Sequence, residues 1–539
     1  MSTIREQFWQ LAGELGMTTV FGNPGSTEMT FLADFPDQLR YVLGLQEGAV
    51  TSMADGFAQV SGGPVLVNLH TAPGIGNAMG ALLTARDSRA PLVMTAGNQV
   101  RAMLTSRQWL VNDEPTVLPK PAVKFAFEPP RPQDVPAALA RAAHLAMSAP
   151  RGPVFVSLPM DDYDQPAEEG VTADLAQRSV TLRAAPEPSA LRGVGEALAA
   201  ARNPVLVLGL AADALGGRDD AIALAQRLNL PVWAAPSSGR SVFPSDSPNF
   251  AGYLPFGYQL INDALAGHDL VLVVGAPVFT TYPYVPGRIV APGTRLIQIT
   301  DDADEIARAP LGDALLGDPA LALAALRQAA DAAPATTRPA PKPRAQAAQP
   351  DPGGSGERPS PAEIFAALGS VLPDRLRLTN ESPSNLADFH AHMPMKHAPC
   401  GYLTTPNGGL GYGLPAAVGA AIADPHTPVL ATLGEGSLQY TGQALWTAAQ
   451  QDTDLVVLVL HNGEYDILKA FSVFEKVNKV PGLDIPGLDP VAYAKAYGVP
   501  GQRIDTGARD VSAAVLEAVN AGGPHLIEVP IDPVVPPLV

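Results

Sequence analysis

Three doubly wound α/β domains, each built on a parallel sheet, are what this sequence predicts. Three observations carry that reading. Short apolar runs recur along the chain and alternate with stretches of helical spacing, the βαβ pattern of parallel sheets. Many runs end in clusters of Gly, Asn, Ser or charged residues, as strands do when they deliver loops to the carboxyl edge of a sheet. Two breaks in the alternation, after residue 166 and across 331–358, divide 539 residues into three blocks, against a prior of roughly three to four domains for this length. The expected domains are 1–166, 179–330 and 359–539, with a linker at 331–358.

The first block opens on Thr3-x-x-Glu6, a capping box, followed by Ile4, Phe8, Leu11 and Leu15 at helical spacing, with Gly16 as the stop. A strand over Thr18 to Phe21 then delivers Gly22-Asn23-Pro24-Gly25-Ser26. Further strands are expected at Tyr41–Leu45, Val65–Leu69, Leu92–Thr95 and Val154–Leu158, with a helix over Val135–Met147. The second block places strands at Val205–Leu208, Val232–Ala234, Leu270–Val274 and Leu296–Ile299. Its Gly209–Gly217 stretch lacks G-x-G-x-x-G spacing and reads as a plain loop and helix. The segment 331–358 is rich in Ala, Pro, Gly and Gln and reads as a partly extended linker. In the third block Ser360-Pro361-Ala362-Glu363 combines a cap, a first-turn proline and a capping-box glutamate. Its strands are expected at Leu376–Leu378, Val429–Leu433, Leu455–Leu460 and Leu526–Val529. No internal repeat is visible beyond the shared α/β alternation.

Composition narrows the function. The chain is 46% hydrophobic and carries a formal net charge of −18, which argues against nucleic-acid and anionic-membrane partners. The single cysteine, Cys400, rules out an intrachain disulfide. No apolar run approaches the ~20 residues of a membrane helix, and the start, MSTIREQFWQ, lacks a signal peptide's apolar core. A cytoplasmic protein is the expectation.

The most informative stretch runs from Pro428 to Phe471. An apolar run, Val429–Leu433, breaks at Gly434-Glu435-Gly436-Ser437; a helical pattern through Leu438, Ala444, Leu445, Ala448 and Ala449 follows; a second run, Leu455–Leu460, ends at His461-Asn462-Gly463-Glu464-Tyr465. Two parallel strands would bring both polar clusters to one carboxyl edge. Glu435 and Asn462 offer hard oxygen ligands suited to Mg²⁺ or Ca²⁺. Gly434 and Gly436 let backbone N–H groups approach an anion, so the pair of clusters reads as a diphosphate site with a divalent ion. A tight βα turn with a solvated glutamate is the plainer alternative.

The stretch resembles the thiamine-diphosphate motif, Gly-Asp-Gly followed at a distance by Asn, here running from Gly434 to Asn462. Nearly the whole chain resembles the thiamine-diphosphate decarboxylase family, and within it the benzoylformate decarboxylases. The blocks that carry the likeness are GNPGS at 22–26, LQE at 45–47, NLH at 68–70, GNAMGAL at 76–82, GAPVF at 275–279, RAP-x-GDA at 308–314, GGLG at 408–411 and ALWTAAQ at 444–450. The resemblance implies a pyrimidine-binding, a central and a diphosphate-binding domain, and a homodimer or homotetramer with sites between chains. It makes Glu47 the carboxylate that hydrogen-bonds the aminopyrimidine, His70 a proton relay and Ser26 a partner of the substrate carboxylate. It assigns cofactor contacts to Asn23, Pro24, Gly25, Ser382, Ser384, Gly408, Leu410, Gly434, Glu435, Gly436, Ser437, Asn462 and Tyr465, with Leu410 wedged beneath the cofactor. The metal would be held by Glu435, Asn462 and the carbonyl of Glu464.

Three departures stand out. Glu435 replaces the family's Asp and reaches about 1.5 Å further, which would shift Mg²⁺ or favour a looser ion such as Ca²⁺. Tyr282, after GAPVF, aligns with the second active-site His of benzoylformate decarboxylases. Ile467 stands where those relatives have a small residue; with Leu110, Leu468 and Phe471 it would narrow the substrate pocket, and Thr404 and Thr405 replace part of an aromatic wall. The expected function is decarboxylation of a benzoylformate-like 2-oxo acid, with or without carboligation of the product to an aldehyde. An acetolactate-synthase-type carboligase and a catalytically degenerate paralogue are the alternatives.

Overall fold

The computed structural model describes residues 2–344, 347, 350 and 358–538. The linker reading at 331–358 therefore lies partly outside the described residues; at its start, the helix Pro319–Ala332 runs past 331. Eighteen strands form three six-stranded sheets. The first comprises β1 (Thr19–Asn23), β2 (Arg40–Leu43), β3 (Val65–Leu69), β4 (Leu92–Asn98), β5 (Phe125–Phe127) and β6 (Val154–Pro159), in the order β2-β1-β3-β4-β6-β5. The second comprises β7 (Pro204–Leu208), β8 (Val232–Ala234), β9 (Phe250–Tyr253), β10 (Leu270–Val274), β11 (Arg295–Thr300) and β12 (Asp313–Leu316), in the order β12-β11-β10-β7-β8-β9. The third comprises β13 (Arg377–Glu381), β14 (Tyr402–Thr404), β15 (Val429–Gly434), β16 (Leu455–His461), β17 (Gly501–Arg503) and β18 (Pro524–Pro530), in the order β14-β13-β15-β16-β18-β17.

The pairings are parallel, and β3, β4, β7 and β10 are buried along their whole length. Helices cover both faces of such sheets, which is why these strands read as continuous apolar runs. The strands that the sequence did not announce, β5, β9, β12, β14 and β17, each lie at a sheet edge and are only three or four residues long. An edge strand needs little apolar sequence, because one side of it has no neighbour. Both capping boxes form, at Thr3/Glu6 and Ser360/Glu363. The single helical pattern after Gly434 is two helices, Glu435–Thr441 and Ala444–Gln450, parted at Gly442-Gln443.

The first and third sheets share one strand order. The sequence shows no such repeat because topology is fixed by which strands pair, not by residue identity. The helix after the second strand of each sheet, Glu47–Ser61 and Gly413–Ala423, packs against its counterpart, and residues of both domains, Phe21, Val67, Val418 and Val457 among them, share one core. The helix pair is in backbone-to-backbone contact: a Cβ on Gly419 would lie 1.8 Å from the Met53 carbonyl oxygen. The central sheet has its own cores on its two faces.

Candidate active site

In the first sheet β1 and β3 are neighbours whose following helices diverge, so a crevice opens at their carboxyl ends. β1 leads into Asn23, Pro24, Gly25 and Ser26, and β3 into His70, which precedes the helix Thr71–Asp87. The two loops touch: a Cβ on Gly25 would fall 2.2 Å from the His70 ring, so only glycine fits there. His70 Nδ1 lies 2.9 Å from Glu28 Oε2 and 3.1 Å from Thr27 Oγ1. Glu28 is fully buried and also accepts from the Gly25 N–H at 2.9 Å, the Gly97 N–H at 2.7 Å and the Thr27 hydroxyl at 2.8 Å. Because Thr27 gives its proton to Glu28, it can only accept from His70. Nδ1 therefore carries the imidazole proton of the neutral ring, and Nε2 is the nitrogen left for the crevice. Ser26 is exposed at the crevice mouth. Glu47 is the first residue of its helix, half-buried, and its Oε2 accepts from Asn77 Nδ2 at 3.0 Å.

In the third sheet β13, β15 and β16 bring a second set together. Glu435 is 2% exposed, and its Oε1 accepts from the Gly463 N–H at 2.8 Å and the Glu464 N–H at 3.2 Å. Asn462 Oδ1 accepts from that same Glu464 N–H at 3.0 Å, while its Nδ2 donates to Asp466 Oδ2 at 2.6 Å. The Glu464 carboxylate is engaged by Lys469, leaving its carbonyl for other duty. Burial, first of all, holds the Glu435 carboxyl above the usual carboxylate range. A buried carboxyl to which, among the described residues, no cationic side chain is bonded, beside an amide oxygen, fits a hard divalent ion. Among the described residues no group of three or more His, Cys, Asp or Glu could hold a metal; this set is instead one carboxylate with amide and carbonyl oxygens. Ser382 and Ser384 follow β13, and the Ser382 hydroxyl donates to Asn380 Oδ1 at 2.7 Å. Ser437 and Gly436 lie in the first turn of the helix Glu435–Thr441.

The loop that carries Gly408 and Leu410 is fixed from both sides. Asn407 accepts from the Gly409 N–H at 3.0 Å and from Thr84 of the first domain at 3.3 Å. Glu381, buried, accepts from the N–H groups of Gly411 at 2.6 Å, Tyr412 at 2.8 Å and Gly413. Burial pushes the Glu381 carboxyl up to about 7, against the pull of those N–H groups and the Ser437 hydroxyl. Its folded pKa is thus above its unfolded one. The stabilisation it brings is full below about pH 4.5 and is lost as the pH rises through about 7. The wild-type melting temperature minus that of Glu381→Gln is therefore expected to fall between pH 5 and pH 8. Each pH unit is worth at most about 1.4 kcal/mol; a difference that stays flat with pH would refute the assignment.

Tyr282 and Phe471 meet, with ring centroids 5.1 Å apart, and Ile467 lies one turn from Phe471 on the helix Asp466–Phe474. Leu468 and Tyr282 are exposed, at 44% and 70%. Thr404 ends β14 and its hydroxyl donates to the Asn380 carbonyl at 2.8 Å; Leu110 sits between the helix Arg101–Leu104 and β5, and Tyr465 adjoins the helix that bears Ile467. Within one chain, and among the described residues, no hydrogen bond links Ser26, Glu47 or His70 to Glu435, Asn462 or Glu464: each set bonds inside its own domain. Sequence reasoning missed Glu28 and Asn77 as partners of His70 and Glu47. The signal for Glu28 was its spacing, three residues after Gly25, which is that of a capping box.

Comparison with known proteins accords with this geometry. Residues 2–114 match the thiamine pyrophosphate enzyme N-terminal TPP binding domain, 191–326 the central domain and 385–529 the C-terminal TPP binding domain. The chain is 44% identical over 537 residues to a benzoylformate decarboxylase of Pseudomonas aeruginosa, covering 99% of this chain and 100% of that one. It is 26% identical over 545 residues to the acetolactate synthase of Bacillus subtilis, covering 96% and 91%. Among solved structures, the 4-hydroxybenzoylformate decarboxylase of Rhodococcus jostii RHA1 superposes with a TM-score of 0.94 at 43% identity, covering 98% and 99% of the two chains. The benzoylformate decarboxylase of Polynucleobacter necessarius superposes with a TM-score of 0.95 at 40% identity, covering all of both.

Proposed function

The chain belongs to the thiamine pyrophosphate enzymes, and from that membership we propose that it decarboxylates a 2-oxo acid of the benzoylformate type. The observation that carries this reading is that a full-length likeness to benzoylformate decarboxylases coincides with an intact Ser26, Glu47 and His70 at the first sheet's carboxyl edge. When bound, thiamine diphosphate supplies the carbon nucleophile and the electron sink that loss of CO₂ requires. Glu47, oriented by Asn77, holds a proton toward the pyrimidine ring nitrogen. His70, fixed by Glu28, moves a proton at Nε2, and the Ser26 hydroxyl bonds the substrate carboxylate. Asn23, Pro24, Gly25, Gly408, Leu410 and Tyr465 wall the cofactor. Ser382, Ser384, Ser437 and the backbone at Gly434 and Gly436 hold its diphosphate. Glu435, Asn462 and the Glu464 carbonyl take a divalent cation, Mg²⁺ or Ca²⁺. Leu110, Thr404, Ile467, Leu468 and Phe471 shape the pocket for the acid's side chain. The family resemblance supports a homodimer or homotetramer that completes each site from two chains, and the cytoplasm is the proposed compartment.

The test is a panel of 2-oxo acids given to the protein with thiamine diphosphate and Mg²⁺, scored for CO₂ and aldehyde. Benzoylformate turnover is expected; turnover of pyruvate alone would overturn the substrate class. Metal dependence has its own measurement. Thiamine diphosphate at 100 times its dissociation constant is expected to add about 2.7 kcal/mol to stability, and a chelator should abolish the gain. Glu435→Asp should keep or tighten the apparent Mg²⁺ affinity, because the shorter side chain removes about 1.5 Å of reach. A marked loss in that variant would mean the site is built around glutamate.

Tyr282 favours a second reading, carboligation alongside decarboxylation. A tyrosine hydroxyl donates a hydrogen bond at neutral pH but seldom cycles a proton as an imidazole does. Slower proton delivery would leave the reacting carbon longer available to an acceptor aldehyde. Tyr282→His is expected to lower the ratio of ligated product to free aldehyde at equal donor consumption. An unchanged ratio would leave Tyr282, whose ring packs at a tilt against Phe471, as a wall residue.

A further inference from the structure

Of the three groups assigned to the cation, only one can face it the wrong way. The Glu435 carboxylate presents an oxygen whichever way it turns. The Glu464 carbonyl is fixed by the backbone. The Tyr465 N–H donates to the Leu483 carbonyl and the Ile485 N–H to the Gly463 carbonyl, both at 2.8 Å, so Glu464 and Asp484 lie opposite each other in an antiparallel bridge. That bridge uses the groups on either side of Glu464 and leaves its own carbonyl unspent. The Asn462 amide differs from both. Its two ends have nearly one shape, but only the oxygen can ligate Mg²⁺ or Ca²⁺; inverted, it would turn two donor hydrogens on the ion.

Two contacts decide which end is which. The first is the Glu464 N–H on Asn462 Oδ1 at 3.0 Å, and that N–H is shared with Glu435 Oε1 at 3.2 Å. The second is Asp466, whose Oδ2 accepts from Asn462 Nδ2 at 2.6 Å. Asp466 is the first residue of the helix Asp466–Phe474 and is 2% exposed. The same Oδ2 accepts from the Val534 N–H at 3.0 Å, from the segment that leaves β18. This second donor keeps the carboxyl from turning away from Asn462. Asp466 Oδ1 is buried and, among the described residues, has no hydrogen-bond partner. Lys469, on the same helix, serves Glu464 and, at 2.8 Å, Asp484 instead. A carboxyl buried without a cation is costly to the fold. What this one holds is the donor end of a ligand's amide.

We propose that Asp466 is a positioning residue for the cation: by holding Asn462 Nδ2 it turns Asn462 Oδ1 toward the ion, and the Val534 N–H steadies it from the C-terminal segment. Asp466 acts through Asn462 and is not itself a ligand. The inference rests on the reading of Glu435, Asn462 and the Glu464 carbonyl as the cation's ligands.

The experiment is a Mg²⁺ titration of the full-length protein in excess thiamine diphosphate, with the rise in melting temperature giving the apparent affinity. Asp466→Leu keeps the size of the side chain and removes the acceptor. It should raise the apparent dissociation constant by about tenfold or more, the effect expected on losing a group that orients a metal ligand. Asp466→Asn keeps one acceptor oxygen, which can take both donors that now meet at Oδ2. It should stay within about threefold of wild type. Both variants remove the same negative charge, so rescue by Asn separates positioning from charge. A purely structural role predicts a lower melting temperature of the metal-free Leu variant with unchanged Mg²⁺ affinity. Should Asp466→Leu fail to fold, Asp466→Ala replaces it under the same expectation. Equal loss of affinity in the Asn and Leu variants, or equal affinity in all three forms, would overturn the proposal and leave the ligand assignment standing. A wild type that does not respond to Mg²⁺ would overturn both.

Discussion

Glu47→Gln is expected to fold normally and to lower turnover by about 10²–10⁴-fold, the range that a positioned acid–base group contributes. The fold should survive because little of it rests on the charge. Glu47 is half-buried at the first position of its helix, and the cap of that helix is Gln46, whose side chain accepts from the Ala49 N–H. Among the described residues the one hydrogen bond to the Glu47 carboxylate comes from Asn77 Nδ2 at 3.0 Å, and a glutamine can accept it through Oε1. The other side of the group changes in kind. A carboxyl can share a proton with a ring nitrogen and change its charge while doing so; an amide cannot. Turnover should therefore fall while cofactor-induced thermal stabilisation persists. The direct readout is hydrogen exchange at C2 of the bound cofactor, followed by NMR. Exchange at the wild-type rate in Glu47→Gln would show that this carboxyl is not the activating group.

The sequence was most legible where burial is two-sided. β3, β8 and β10 were predicted residue for residue, because a strand with helices on both faces must be apolar along its length. Edge strands such as β12, Asp313–Leu316, carry no such signature and are mostly exposed. Loops at strand ends were legible too, since a polar, glycine-bearing break after an apolar run marks the carboxyl edge. That logic located Gly434–Ser437, Asn462 and His70 at sheet edges, where the structure has them. It could not find Glu28, which is 42 residues from His70 and looks like an ordinary turn glutamate until the two loops are brought together.

Glu28→Gln is expected to lower turnover by roughly 10²-fold, the lower end of an acid–base contribution, by reversing the tautomer of His70. Glu28 Oε1 accepts from Gly97 and Thr27, and Oε2 accepts from Gly25 and His70 Nδ1. A glutamine has one oxygen for these four donors. If that oxygen stays with Gly97 and Thr27, its NH₂ group faces the Gly25 N–H and the imidazole. The ring then relieves the clash by presenting a bare Nδ1 and carrying its proton on Nε2, the nitrogen that faces the crevice. His70 would meet the reacting group as a donor where it now offers a lone pair. The remaining mismatch at Gly25 is one half-buried N–H without an acceptor, at most about 1–3 kcal/mol of stability. A purely structural role for Glu28 predicts the same stability loss, so melting temperature does not decide the question. The deciding measurement is the ¹⁵N spectrum of the His70 imidazole in the two forms. Protonated Nδ1 in wild type and protonated Nε2 in Glu28→Gln, together with the fall in turnover, is the expected result; an unchanged tautomer with the same fall would assign the loss to packing around the β1–β3 crevice and not to the proton on His70.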